Sequence, residues 1–240
     1  MDKAKSSYMD LLDSNKWNIS NCWVACFDIL GFRSFISVEK DDWKAYRVCQ
    51  DYEDTLEYLK KNCDRYEYGG IDYCWFSDTF LMFTPNDSAQ SYVVIQFAAK
   101  YFIEDCIRHG IPMRGAISVG RFMRTKDNRT FIGKAFLEAF EYAEDQDWIG
   151  LILTPNAISK ANSFGLNPTH HDFVRASEIP MRTFNSQEVL AYRFQNGEAN
   201  FPSILLPALH SMKSQSDEKY YGKYERTKQF IEKHYRWITR

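Results

Sequence analysis

The 240-residue sequence lacks most of the features that would assign it at a glance. It has no excess of one charge: 30 Lys and Arg against 32 Asp and Glu leave a net charge of −2. No global basic field therefore advertises nucleic acid or acidic lipid, and neither is expected as a partner. No apolar run approaches the roughly 20 residues a membrane helix needs. The opening stretch, MDKAKSSYMDLLDSNK, has no apolar h-region, so a secretory leader is not expected. None of the six cysteines (Cys22, Cys26, Cys49, Cys63, Cys74, Cys106) forms a CxxC pair, which leaves zinc ribbons unsupported. They sit mostly among apolar and aromatic neighbours, as reduced cysteines in a cytoplasmic core do. There is no GxGxxG, no Walker loop, no internal repeat and no low-complexity linker. His109, His210 and His234 stand alone, with no Ser or Cys partner in a recognisable motif. His170-His171-Asp172 invites a metal reading, but adjacent strand residues point to opposite faces, so a surface loop is expected.

What is present is apolar and aromatic mass, 45% and 16% of the chain, enough for one sizeable core. Asn21 to Leu30 is an apolar run closed by Gly31 and reads as a buried strand. Residues 41–62 carry Trp43, Tyr46, Cys49, Tyr52, Leu56 and Leu59 at helical spacing, with Asp41 or Asp42 as cap. Tyr66 to Phe83 reads as two strands broken by a hairpin turn at Ser77-Asp78. A helix is expected from the Pro85–Ser88 turn to about Arg108, then a strand from Met113 to Gly120. A further helix covers Gly133 to Glu144, and a strand Trp148 to Thr154. Asn156 to Ala161 suggests a short helix, residues 187–194 a late strand, and the last 25 residues a helical, polar and aromatic segment. This order predicts an α+β sandwich, a mostly antiparallel sheet with helices on one face. We divide it into an N-terminal extension (1–20), a core (21–160) and a C-terminal extension of the same domain (161–240).

Two aspartates stand where chemistry could be done. Asp28 ends a buried apolar strand, a costly place for a carboxylate that is neither paired nor bound to a cation. Gly31 permits a sharp turn, and the N–H groups of the helix that follows could hold phosphate oxygens. Asp78 sits at the hairpin turn, again between apolar runs. A single Asp after a strand is usually a turn or cap residue. A pair on neighbouring strands faces one point, and two hard carboxylates suit Mg²⁺ or Mn²⁺ bridged by a triphosphate. From Lys219 to Arg240, basic and aromatic residues interleave. Such a segment can bind single-stranded nucleic acid, but a helix docking its aromatic stripe on the body is expected here.

In order and spacing, residues 21–155 resemble the catalytic domain of class III nucleotidyl cyclases. The resemblance rests on Asp28-Ile29-Leu30-Gly31-Phe32, on Asp78 in the hairpin, on the strand from Arg114 to Gly120, on Gly133 to Ala139, and on Gly150 to Thr154. It implies two Mn²⁺ or Mg²⁺ ions held by Asp28, Asp78 and the Ile29 carbonyl, with phosphate-binding amides at Gly31 and Phe32. It also implies a head-to-tail homodimer with composite sites.

The departures narrow the reading. Ser77 stands where the family usually has glycine. Cys74 and Thr130 occupy the positions of the lysine and aspartate that read a purine in adenylyl cyclases. The usual transition-state Asn and Arg would fall at Leu137 and Glu141, so Arg114, Arg121, Arg124, Arg129 or Lys134 are the candidate replacements. A chain of this kind is similar to the bacterial pyrimidine cyclases of antiphage (Pycsar) defence. The resemblance thus implies a cytoplasmic enzyme that cyclises UTP, in preference to CTP, and signals to a separate effector. The rival expectations are a degenerate, non-catalytic nucleotide-binding cyclase fold, a purine cyclase, and a palm-type polymerase or diguanylate cyclase. The last typically carries a second acidic residue beside the hairpin aspartate, where this chain has Thr79.

Overall fold

The computed structural model describes residues 17–32, 46, 50, 53–58, 61, 70–126, 130–170, 172–175, 177–194 and 201–234. Among these residues, eight strands form one sheet: β1 (Trp17–Ile29), β2 (Asp72–Phe76), β3 (Thr79–Phe83), β4 (Met113–Thr125), β5 (Phe131–Gly133), β6 (Gly150–Leu153), β7 (Phe173–Val174) and β8 (Leu190–Tyr192). The order is β2-β3-β1-β4-β6-β8-β7, with β5 pairing the far end of β4. Every pairing is antiparallel except β4 with β6. The α+β, mostly antiparallel architecture expected from the sequence is therefore present.

Among the described residues, the helices defined from end to end are α1 (Ala89–Arg108), α2 (Lys134–Asp145), α3 (Pro155–Ser163), α4 (Phe201–Gln215) and α5 (Tyr221–His234). The turn chemistry read from the sequence starts α1, where the Ser88 side chain accepts from Ser91 N–H and supplies the N-cap. Thr154 does the same for α3, with Pro155 in its first turn.

Strand alternation divides the interior. Along β1, Trp23, Ala25, Phe27 and Ile29 point into the large cluster with Ile95, Phe102 and Ile103 of α1. Cys22, Val24 and Cys26 point the other way, onto Ala135 and Ala139 of α2. Helices thus cover both faces of the sheet, not one as the sequence order suggested. β1 and β3 are central strands with apolar residues on both sides, so each face needs its own cover. The C-terminal helices join the large cluster through Leu205 and Leu209 of α4 and Tyr224, Phe230 and Ile231 of α5.

Several boundaries differ from expectation. β1 and β4 each run well beyond the apolar segments that announced them, as a long two-stranded arm from Trp17↔Thr125 to Ile29↔Met113. The late strand shrinks to Leu190–Tyr192, because Ser186–Glu188 forms a 3-10 turn. β5, β7 and α4 were not anticipated. Of the helix expected over 41–62, residues 53–58 are helical and most of the remainder lies outside the described residues. Cys49, Cys63, Arg129 and His171 also lie outside them. Cys22, Cys26 and Cys74 are free thiols. Burial pushes the Cys22 thiol up to about 12, which makes it inert as a nucleophile at neutral pH. Among the described residues, no helix is long and apolar enough to cross a membrane.

Candidate functional site

The register of the central strands brings the two aspartates together. Phe76 pairs with Thr79, which leaves Ser77 and Asp78 as a two-residue hairpin turn. Ser77 has φ 57°, a left-handed value, whereas Asp78 does not. A positive φ at the first central residue is the II′ pattern, in which glycine is favoured. Trp75 Nε1 donates to the Ser77 carbonyl at 2.6 Å. The next strand fixes the turn: Ile29 N–H donates to the Asp78 carbonyl at 3.1 Å, while Asp28 pairs with Thr79. The hairpin tip therefore lies against the end of β1, with Asp78 next to Asp28.

Asp28 is nearly buried and faces Arg114, its register partner on β4. Arg114 Nε donates to Asp28 Oδ2 at 2.7 Å, and Nη2 lies 2.6 Å from the same oxygen. The other arm of the guanidinium donates to the backbone carbonyls of Glu144 and Gln146, the latter at 3.0 Å. Burial pushes the Asp28 carboxyl up, the Arg114 charge and hydrogen bond pull it back, and the nearby Asp78 and Glu144 charges raise it again. Its net position is above the ordinary carboxylate value.

Gly31 closes the site on its third side. Its φ of 75° is left-handed and favours glycine, and a Cβ there would sit a tight 3.1 Å from the ring of Tyr220. Tyr220 belongs to the 3-10 turn that leads into α5. The aromatic stripe of the C-terminal segment thus docks on the body, as expected, and it does so beside the candidate phosphate-binding turn.

The other candidate residues lie elsewhere on this chain. Arg121 pairs with Asn21, seven residues along β1 from Asp28. At the rise of a strand that is roughly 20 Å away. Arg121 and Lys134 line a separate groove with Gly120, Glu138 and Asn156. Arg124 is engaged with Asp72 at 3.0 Å and stacks over Phe83. Cys74 is half-buried on β2, packed on the α2-side cluster, and Thr130 is exposed before β5. Leu137 and Glu141 are exposed on α2. Asp172, of the His-His-Asp segment, pairs with Lys100 instead of a metal partner.

Sequence reasoning missed one buried charged residue that lies within electrostatic reach of Asp28 and Arg114. Lys223 of α5 is 8% exposed, with Nζ 3.7 Å from Asp147 Oδ1. Burial and the Arg114 and Arg182 charges push it down to about 8, against the pull of Asp147 and Asp28. Lys223, Thr227, Phe230 and Ile231 are all buried. Their spacing of four, three and one was the available signal for which face of α5 turns inward.

Asp28 and Asp78 form an all-oxygen donor pair. Among the described residues, no three His, Cys, Asp or Glu side chains converge on one point. A divalent ion held here would take two carboxylates from the chain and the rest of its ligands from phosphate and water, which fits Mg²⁺ or Mn²⁺. Both Arg114 contacts fall on Oδ2 of Asp28.

No protein-family profile and no curated protein sequence matches the chain. Solved structures do. The structure of a bacterial light-regulated adenylyl cyclase matches with a TM-score of 0.54 at 10% identity, over 88% of this chain and 68% of that one. The guanylyl cyclase Cya2 matches at 0.49 and 12% identity, over 74% and 93%. The adenylyl cyclase CyaB from P. aeruginosa matches at 0.48 and 14%, over 73% and 95%. The mostly antiparallel sheet with its helical layers thus shares the fold of the nucleotide cyclase catalytic domain in the light-regulated adenylyl cyclase structure.

Proposed function

We propose that this chain is a nucleoside triphosphate cyclase that forms a 3′,5′-cyclic pyrimidine nucleotide and pyrophosphate. The observation that carries the reading is the placement of Asp78 beside Asp28, fixed by the Asp28↔Thr79 register and by the Ile29 N–H bond to the Asp78 carbonyl. Two divalent ions, Mn²⁺ or Mg²⁺, when bound there would supply the charge that acidifies the ribose 3′-hydroxyl and neutralises the departing pyrophosphate. Asp28 and Asp78 hold that charge at the point where strand and hairpin meet, and the Ile29 carbonyl is the third ligand the resemblance implies. Arg114 fixes the orientation of Asp28, and its own position is fixed by two backbone carbonyls. The amides at Gly31 and Phe32 bind phosphate oxygens at the strand-to-helix turn. The 3′-oxygen then attacks the α-phosphorus in line, the bond to the bridging oxygen breaks, and the 3′ proton is lost to solvent. Positioning and electrostatics carry such a reaction.

The base assignment rests on Cys74 and Thr130, which offer neither charge of the purine-reading pair; UTP is preferred to CTP. The product serves as a diffusible messenger to a separate effector in antiphage defence. The active unit is a homodimer, because Arg121 on β4 and Lys134 at the start of α2 line a groove too far from Asp28 to reach it within one chain, and a second copy set head to tail would bring them there. Phe76 at 73%, Ile132 at 58% and Leu137 at 54% exposure provide apolar surface for that contact. Incubation with each of the four nucleoside triphosphates and Mn²⁺, read by mass spectrometry, tests the proposal. Cyclic UMP or cyclic CMP is expected; a purine cyclic nucleotide alone would overturn the base assignment, and no cyclic product would overturn the activity.

A further inference from the structure

α5 places its charge with unusual economy. Thr227 anchors it to β6's approach, accepting from Ile149 N–H at 2.8 Å and donating to the Ile149 carbonyl at 3.1 Å. Arg226 clasps Asp147, donating from Nε to its carbonyl at 2.8 Å and from Nη2 to its carboxylate. One turn earlier, Lys223 reaches the same Asp147, but only at 3.7 Å. Arg182 approaches it too, at 4.0 Å. Asp147 follows Gln146, whose carbonyl holds Arg114. Arg114 and Lys223 are therefore mounted on consecutive residues of one loop, and both are nearly buried.

Asp28, Asp78, Glu144 and Asp147 share this region with Arg114, Arg182, Lys223 and Arg226, but the short contacts of Asp28 and Asp147 are taken by Arg114 and Arg226, which leaves the Lys223 ammonium 3.7 Å from Asp147. A buried ammonium without a close anionic partner is costly. On its other side Lys223 Nζ lies 5.8 Å from the centre of the Tyr220 ring, the ring that packs on Gly31. Through that ring it neighbours the turn whose amides would hold phosphate, and the Arg114 and Asp28 charges act on it from the other strands. An anion of high charge, entering beside Gly31, would supply a closer partner than Asp147 does.

We propose that Lys223 is a phosphate-binding residue of the Asp28–Asp78 site, delivered by the C-terminal helix to grip the terminal phosphates of the triphosphate and then the leaving pyrophosphate. The inference rests on the cyclase reading for the identity of its ligand. It assigns to α5 a part in substrate binding as well as in packing. The groups that face the ammonium are Asp147, Asp28, Arg114, Arg182, Arg226 and the Tyr220 ring. Its charge, held to about 8, makes the grip sensitive to mild alkali in a way that a guanidinium would not be.

The test is calorimetric titration of the whole protein with inorganic pyrophosphate in excess Mg²⁺. Lys223→Met should weaken binding by roughly 10- to 100-fold, the loss of one charge-assisted contact, and Lys223→Arg should stay within about threefold. Wild-type affinity should fall between pH 7 and pH 9.5, and that of Lys223→Arg should stay nearly level. A folded Lys223→Met protein that binds pyrophosphate like wild type overturns the inference. If that variant does not fold, parallel pH profiles for wild type and Lys223→Arg overturn it equally. Cyclic nucleotide formed by wild type alongside either negative result leaves the cyclase reading intact. Lys223-dependent pyrophosphate binding with no cyclic product from any triphosphate sinks the cyclase reading and leaves this one standing. Absence of both sinks both.

Discussion

Arg114 Nε lies 2.7 Å from Asp28 Oδ2 across neighbouring strands, and this pair splits the two aspartates by what each does for the fold. Removing Asp28 strands a guanidinium that is 7% exposed, whereas Asp78 sits half-buried in a turn. Asp28→Ala should cost about 3–5 kcal/mol of stability. Asp78→Ala should cost under about 1 kcal/mol, as a surface turn substitution does. Both should abolish cyclisation. Denaturant melts of the two variants and of Asp28→Ala with Arg114→Met check this; the double variant should regain most of the loss.

Ser77 holds a conformation that costs a β-carbon. Ser77→Gly should stabilise the protein by about 0.5–1 kcal/mol, and Ser77→Val should destabilise it by more. Thermal melts read both. If Ser77→Gly left the melting temperature unchanged, the left-handed turn would be wrong.

The stability of the protein should depend on pH through Lys223. Its folded pKa, about 8, lies below the ordinary 10.5, so between those values the unfolded chain binds a proton that the folded one does not. Stability conferred by this residue therefore rises with pH through that window. The wild type should gain about 1–3 kcal/mol over Lys223→Met between pH 7 and pH 10. Urea titrations at four pH values test this; a constant difference between the two proteins counts against it.

Restoring the purine-reading pair should change the product. Cys74→Lys with Thr130→Asp should raise the ratio of ATP to UTP turnover by at least about tenfold, since a site built for hydrogen bonds discriminates strongly. Competition between equal ATP and UTP, with both products quantified, gives the ratio directly.

A composite dimer makes a counting prediction. Asp78→Ala mixed with Thr130→Trp, each inactive alone, should recover about a quarter of wild-type activity after subunit exchange. Exchange confirmed by native mass spectrometry without recovery would place each site within one chain.

The legible parts of this molecule were those with local signals. The apolar run into Asp28, the turn at Ser77-Asp78 and the Ser88 cap each specify their own structure within a few residues. β5 and β7, three and two residues long, carry too little pattern to declare themselves. α4 was hidden by Pro202 and Pro207, the second of them inside the helix. Arg114 was one of five candidate cations by sequence. Only the strand register sets it opposite Asp28, and register is a property of pairing, not of either strand alone. Lys223 sat in a stretch that read as basic, and its inward direction follows from the tertiary anchor at Thr227.

The ring of Tyr220 against Gly31 also sets a clock. The two residues are made nearly a whole chain apart, and at about 5–20 residues per second roughly 10 to 40 s separate their synthesis. Until α5 emerges, the strand, the hairpin and Arg114 can assemble, but the wall beside the phosphate turn is open. A nascent or prematurely ended chain would carry the carboxylates without their cover.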